Sequence, residues 1–187
     1  MKRVLSTLLT LAAMLLMFAS SPVAQDLEKP IDFYFGVGAG VPTGDLADGW
    51  KLGFHGLARV GFSVAPKLDV LAGLDYHTFP IDDLGVPSVS GGSFSTINIT
   101  GDLKVNFGMA GASSNPFLLG GVGLSIYSIS DLSVGTVTVE FDSESDIFIE
   151  VGGGVEFNKF FTQFKYVNIF AEGSSISYIP FTVGVKF

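Results

Sequence analysis

The sequence predicts an all-β chain: an eight-stranded antiparallel up-and-down transmembrane β-barrel, preceded by a cleavable signal peptide. Three observations predict it. Apolar and polar residues alternate with a period of two over eight segments, while helical periodicity is poor throughout. The connections between those segments alternate between long, polar stretches and shorter ones. Many of the 18 Phe residues fall on the apolar faces near segment ends, where a membrane boundary places aromatics.

The bulk composition agrees. The 187 residues fit one domain. The chain is 48% hydrophobic and only 15% charged, against about 25% for ordinary soluble domains. It is too apolar for disorder. A net charge of -8 argues against a nucleic-acid partner. There is no cysteine, which excludes a disulfide framework, a thiolate metal site and a Cys nucleophile.

Residues 1–24 read as the signal peptide. Lys2 and Arg3 precede an apolar run from Val4 to Ala19, and the small-residue zone "SSPVA" follows. The run is short for a membrane span of about 20 residues, which disfavours an anchoring helix. Cleavage is expected after Ala24, leaving 25–187 as the barrel domain.

The segments follow in order. In 31–41, Phe33, Phe35, Val37, Ala39 and Val41 oppose Asp32, Tyr34 and three glycines. In 52–64, Phe54, Ala58, Val60 and Phe62 oppose His55 and Arg59. In 68–78, Val70, Ala72, Leu74 and Tyr76 oppose Asp69, Asp75 and His77. Segment 95–107 alternates most regularly, with Ile97, Ile99, Leu103, Val105 and Phe107 against Asn98, Asp102, Lys104 and Asn106. Segment 117–128 puts Leu118, Val122, Leu124 and Ile126 on one face. In 147–157, Ile147, Ile149, Val151, Val155 and Phe157 oppose Glu150 and Glu156. Near 160–167, Phe160, Thr162, Phe164 and Tyr166 oppose Gln163 and Lys165. The last, "SYIPFTVGVKF", must pair with the first to close the barrel.

Segments of about ten residues match tilted membrane strands. Six Phe are then expected at the periplasmic boundary: Phe33, Phe62, Phe107, Phe157, Phe160 and Phe187. Phe54, Tyr76, Tyr166 and Phe181 form a thinner girdle at the other boundary. The long outer connections, 42–51, 79–94 and 129–146, read as polar and flexible.

Eight strands leave an interior only wide enough for side chains. The inward charges are Asp32, Asp69, Asp75, Asp102, Glu150 and Glu156 against Arg59, Lys104, Lys165 and Lys186. Buried charges must pair, so a packed ion-pair network is expected rather than a continuous water pore. If Val64 pairs with Leu68, His55 faces His77. Two facing imidazoles could hold a metal ion or titrate, but no third ligand is evident, and both read as polar filler at the outer mouth. Acids at Asp131, Glu140, Asp142, Glu144 and Asp146, and at Asp82 and Asp83, read as solvated loops without calcium-loop spacing. No catalytic, cofactor-binding or metal-ligating residue is assigned. Pro180 lacks the N–H that a closed ladder needs, so a bulge or missing ladder bond is expected there.

The stretches "DFYFGVGAGVPTG", "NPFLLGGVGLSIYS", "VGGGVEF" and "FTVGVKF" resemble those of small outer-membrane β-barrels of the OmpA/OmpX type. The resemblance covers 31–187. It implies location in the outer membrane, contact with its lipids, and insertion by the outer-membrane assembly machinery, which reads a final strand ending in an aromatic residue. Val185 and Phe187 match that signal; the glycine usual five residues before the aromatic is Thr182, with Gly184 two positions later.

The function expected is therefore not enzymatic: an integral barrel with a structural or surface-interaction role through its outer loops. The extracellular partner is not named by the sequence. The alternatives are a narrow channel or lateral transport path for small or apolar solutes, a lipid-modifying enzyme, and a secreted soluble barrel.

Overall fold

The computed structural model describes residues 31–81, 89–108, 113–130, 132–134, 137–139, 142–171 and 173–187. The expected leader, 1–24, and the loop acids Asp82, Asp83, Asp131 and Glu140 lie outside the described residues.

The alternating segments form strands β1 (Asp32–Thr43), β2 (Gly53–Ala65), β3 (Leu68–Pro80), β4 (Val89–Gly91), β5 (Ser93–Asn106) and β6 (Asn115–Ile129). The rest are β7 (Leu132–Val134), β8 (Val137–Val139), β9 (Glu144–Phe157), β10 (Phe160–Ile169) and β11 (Ile176–Lys186). Eight of them close an antiparallel up-and-down barrel in the order β1-β2-β3-β5-β6-β9-β10-β11. The first and last strands pair from Tyr34 with Lys186 to Thr43 with Ser177. Beyond that register, the Phe33 and Phe187 amides exchange hydrogen bonds of 3.0 and 2.9 Å.

One rim carries the connections 66–67, 107–114 and 158–159. The other carries 44–52, 81–92, 130–143 and 170–175. The two shortest turns place Lys67 and Asn158 at φ of 70° and 58°, the left-handed conformation that two-residue hairpin loops favour.

Two local features differ from expectation, and a third, at Pro180, meets it. First, β4, β7 and β8 form a second small sheet at the far rim, built from stretches expected to be flexible loop. Second, Ala65, not Val64, pairs with Leu68, because the register shifts between Ser63 and Ala65. The bulge absorbs the slip, and above it His55 does oppose His77. Third, the β10–β11 ladder runs from Phe160–Val185 to Phe164–Phe181, then resumes at Val167–Tyr178 in the same register. The skipped rungs lie opposite Pro180 and Ile179. On the other side Pro180 pairs with Gly40 without interruption. The missing N–H therefore opens the β10 side only, and no bulge is needed.

The alternation sorts side chains cleanly. Outward, Val37, Leu74, Val122 and Val151 are 54–64% exposed. The six expected Phe at the near rim are all exposed, as are Phe54, Tyr76, Tyr166 and Phe181. Inward, the lumen is filled. Large inward side chains lie over glycines on neighbouring strands. A Cβ on Gly73 would collide with Arg59, one on Gly152 with Lys165, one on Gly184 with Phe161, and one on Gly121 with Asp102. Outward Gly101 would meet nothing.

Gly121→Ala is accordingly expected to lower stability by about 1–3 kcal/mol through overpacking. Gly101→Ala should change it by no more than about 0.5 kcal/mol. Urea unfolding of the refolded protein, followed through its single Trp50, compares the two.

The filled lumen as candidate functional site

The lumen is layered from side chains that alternation turns inward. At the far rim an apolar plug unites Phe79, Phe94, Tyr127, Phe148, Val167, Ile169 and Tyr178. The connection 44–52 contributes to it: a 3-10 helix at Gly44–Asp48 turns Leu46 into the plug, with Trp50 packed against it. The Tyr127 hydroxyl lies at the rim 2.9 Å from Glu144 and 2.6 Å from Asp146, with one proton for the two, and both acids belong to strand β9, Glu144 exposed and Asp146 half-buried. Asp142 is exposed.

Below the plug lies a polar layer. Thr96 contacts Ser125 at 2.6 Å and Asn98 at 2.8 Å, and Asn98 donates to Tyr178 at 2.7 Å. His55 Nε2 and Thr182 Oγ1 stand 2.9 Å apart across Gly38, which pairs with both residues. The His55 and His77 rings are 5.0 Å apart, and His77 contacts the Tyr178 ring at 4.7 Å. The pair thus sits beneath the plug, not at the mouth. Both His77 nitrogens and His55 Nδ1 are buried without a hydrogen-bond partner. Among the described residues, no group of three or more His, Cys, Asp or Glu is placed to hold a metal ion.

The next layer is ionic and fully buried. Arg59 donates to Asp75 (2.7 Å), Glu150 (2.9 Å) and Asp102. Lys165 bonds Glu150 (2.8 Å) and Asp75. The planar guanidinium fork is what allows one side chain to hold three carboxylates. A collar of Tyr34, Leu57, Leu71 and Phe161 follows. The cavity beside it measures about 10 Å³, room for about one water.

A second ionic layer closes the near rim. Lys104 bonds Glu156, Asp69 (3.4 Å) and the Tyr34 hydroxyl (2.9 Å), and Lys186 bonds Asp32 (2.9 Å) and Glu156 (3.4 Å). All ten inward charges expected from the sequence are paired. The apolar plug was missed, although the signal was present: Phe79 shares parity with His77 and Asp75, and Phe148 with Glu150.

The outer wall has a trough of about 730 Å³ floored by Gly56 and Ala58 and walled by Phe35, Val37, Leu74 and Tyr76. Gly56 pairs with Val37 on one side and Tyr76 on the other, so the wall beneath it is unbroken.

Solved structures with this architecture place it. Neisserial surface protein A superimposes with a TM-score of 0.58 at 16% identity, over 83% of this chain and 95% of that one. The fold is that of the small outer-membrane β-barrels. A major outer membrane protein from Thermus thermophilus matches with a TM-score of 0.55 at 12% identity, over 85% and 99%. The outer membrane enzyme PagL matches at 0.50 and 15% identity, over 83% and 98%. No protein-family model and no curated protein matches the chain.

Removing Arg59 would leave three buried carboxylates facing one lysine. Arg59→Leu is expected to cost about 3–5 kcal/mol, with Arg59→Lys recovering only part because an ammonium lacks the fork. Urea midpoints of the refolded variants test both.

Proposed function

We propose that this chain is an integral outer-membrane barrel without enzymatic activity, acting structurally or by surface interaction through its far-rim loops. The observation that carries this reading is the lumen, filled from rim to rim by an apolar plug, a polar layer and two ion-pair layers. The apolar outer wall suits contact with membrane lipid, and the aromatic residues at both ends suit the two interfaces. Strand β11, followed directly by Phe187, is the segment offered to the outer-membrane assembly machinery.

Two alternatives meet specific obstacles. A channel needs a wet path, and the layers leave space for about one water beside the collar. A lateral path needs an opening, and the outer trough rests on paired strands. For an enzyme, the fold alone permits it, as PagL demonstrates for its own chain. Here Thr182 touches His55, the pairing a nucleophile and base would need. Both are buried under the plug, and His55 Nδ1 has no acid to orient it.

In planar bilayers the refolded protein is expected to show no steady unitary currents. Stable conductance steps would overturn the closed-lumen reading. Overexpression of correctly inserted protein should leave the lipid profile unchanged; new deacylated or acylated lipids would overturn the non-enzymatic one.

A further inference from the structure

The two ionic layers carry the same arithmetic in different surroundings. The near-rim layer sets Asp32, Asp69 and Glu156 against Lys104 and Lys186, one negative charge in excess. Asp32 and Lys186 there are about a fifth exposed, so water and counter-ions reach the surplus. The central layer sets Asp75, Asp102 and Glu150 against Arg59 and Lys165, again one negative charge in excess. Its five side chains are at most 2% exposed. An uncompensated charge in such a place is expensive, and the group neutralises instead.

Geometry says where. Asp102 and Glu150 both pair with Gly121, on either side of β6. The glycine leaves its space to the Asp102 carboxyl, and the two acids converge over it on the same two donors, the Arg59 guanidinium and the Thr100 hydroxyl. Two ionised carboxylates offer only acceptors to each other, so their convergence in a layer one cation short favours a proton between them. Thr100 stands 3.1 Å from Asp102 Oδ1 and 3.4 Å from Glu150 Oε1, and its single hydroxyl proton serves one of them. Asp75 and Glu150 each accept from both Arg59 and Lys165, whereas Asp102 meets Arg59 but not Lys165, which leaves Asp102 the less compensated acid.

We propose that the Asp102–Glu150 pair is a proton-binding site, holding one shared proton at neutral pH and making the central layer electrically neutral. The groups facing it are Arg59 from β2, Asp75 and His77 from β3, Lys165 from β10 and Tyr178 from β11. His55 of β2 lies beyond, against His77. β6 presents glycine between the acids. The proton is bound by the folded state, so folding is favoured while the pair keeps it. Stability should fall as pH rises above about 4, where the unfolded carboxyls ionise, and level off once the folded pair has lost its proton.

Infrared difference spectroscopy of the refolded protein tests this directly. A protonated-carboxyl C=O band is expected at neutral pH, sensitive to deuterium exchange. It should vanish in Asp102→Asn and in Glu150→Gln and persist in Asp69→Asn, which alters only the near-rim layer. Asp102→Asn should also flatten the decline in urea midpoint that begins at about pH 4, where unfolded carboxyls lose their protons. The wild-type spectrum needs no variant to fold: absence of the band there overturns the proposal. So does a band that survives both central substitutions. A midpoint that rises with sodium but not with choline would assign the compensation to a bound cation and overturn the shared proton.

Discussion

Arg59 is the interaction on which the interior depends. It projects from β2 into the centre of the lumen and gathers acids from β3, β5 and β9. Lys165 from β10 binds two of the same acids. Half of the barrel wall is therefore tied through one guanidinium. If the outer wall faces lipid, as proposed, it gains little from that packing, and the cross-lumen bonds supply the specificity that a hydrophobic core supplies in water. They also make the lumen intolerant of partial loss, since any missing partner strands a charge where the low dielectric screens it poorly.

The bonds are possible because of what lies between them. Several of the side chains that meet in the lumen do so over a glycine on the intervening or neighbouring strand. Asp102 and Glu150 reach across Gly121, and His55 and Thr182 across Gly38. Arg59 lies over Gly73 and Lys165 over Gly152. The inward glycines thus do more than permit curvature: they hold the volume that the network occupies. The composition, rich in Gly with few charges, follows from this division of the lumen between long side chains and none.

Much of the fold was legible because a period of two cannot be mistaken when one face is buried among charges and the other is apolar. The segment "STINITGDLKVNF" sets Asn98, Asp102 and Lys104 inward and Ile97, Ile99 and Leu103 outward, and parity alone decides it. The same logic placed all ten lumen charges and the facing histidines. It did not say which acid meets which base, because that depends on tilt and register between distant strands. It did not anticipate the plug, because Phe79 and Phe148 look like any Phe in an aromatic-rich chain until their neighbours' parity is followed. The small sheet at Val89–Gly91, Leu132–Val134 and Val137–Val139 joins two connections far apart in sequence. Three-residue stretches such as LSV and VTV alternate, but they are too short to say which partner they pair with.

The central claim is that the apolar face meets lipid while the lumen stays dry. The absence of cysteine makes single-cysteine labelling clean. The direct measurement is fluorescence from probes at outward Leu74, Val122 and Val151 and at inward Asn98 and Thr182, in bilayers containing lipid-borne and aqueous quenchers. The account predicts lipid-borne quenching at the three outward sites and neither kind at the inward ones. Aqueous quenching at the outward sites, or at Asn98 and Thr182, would contradict it.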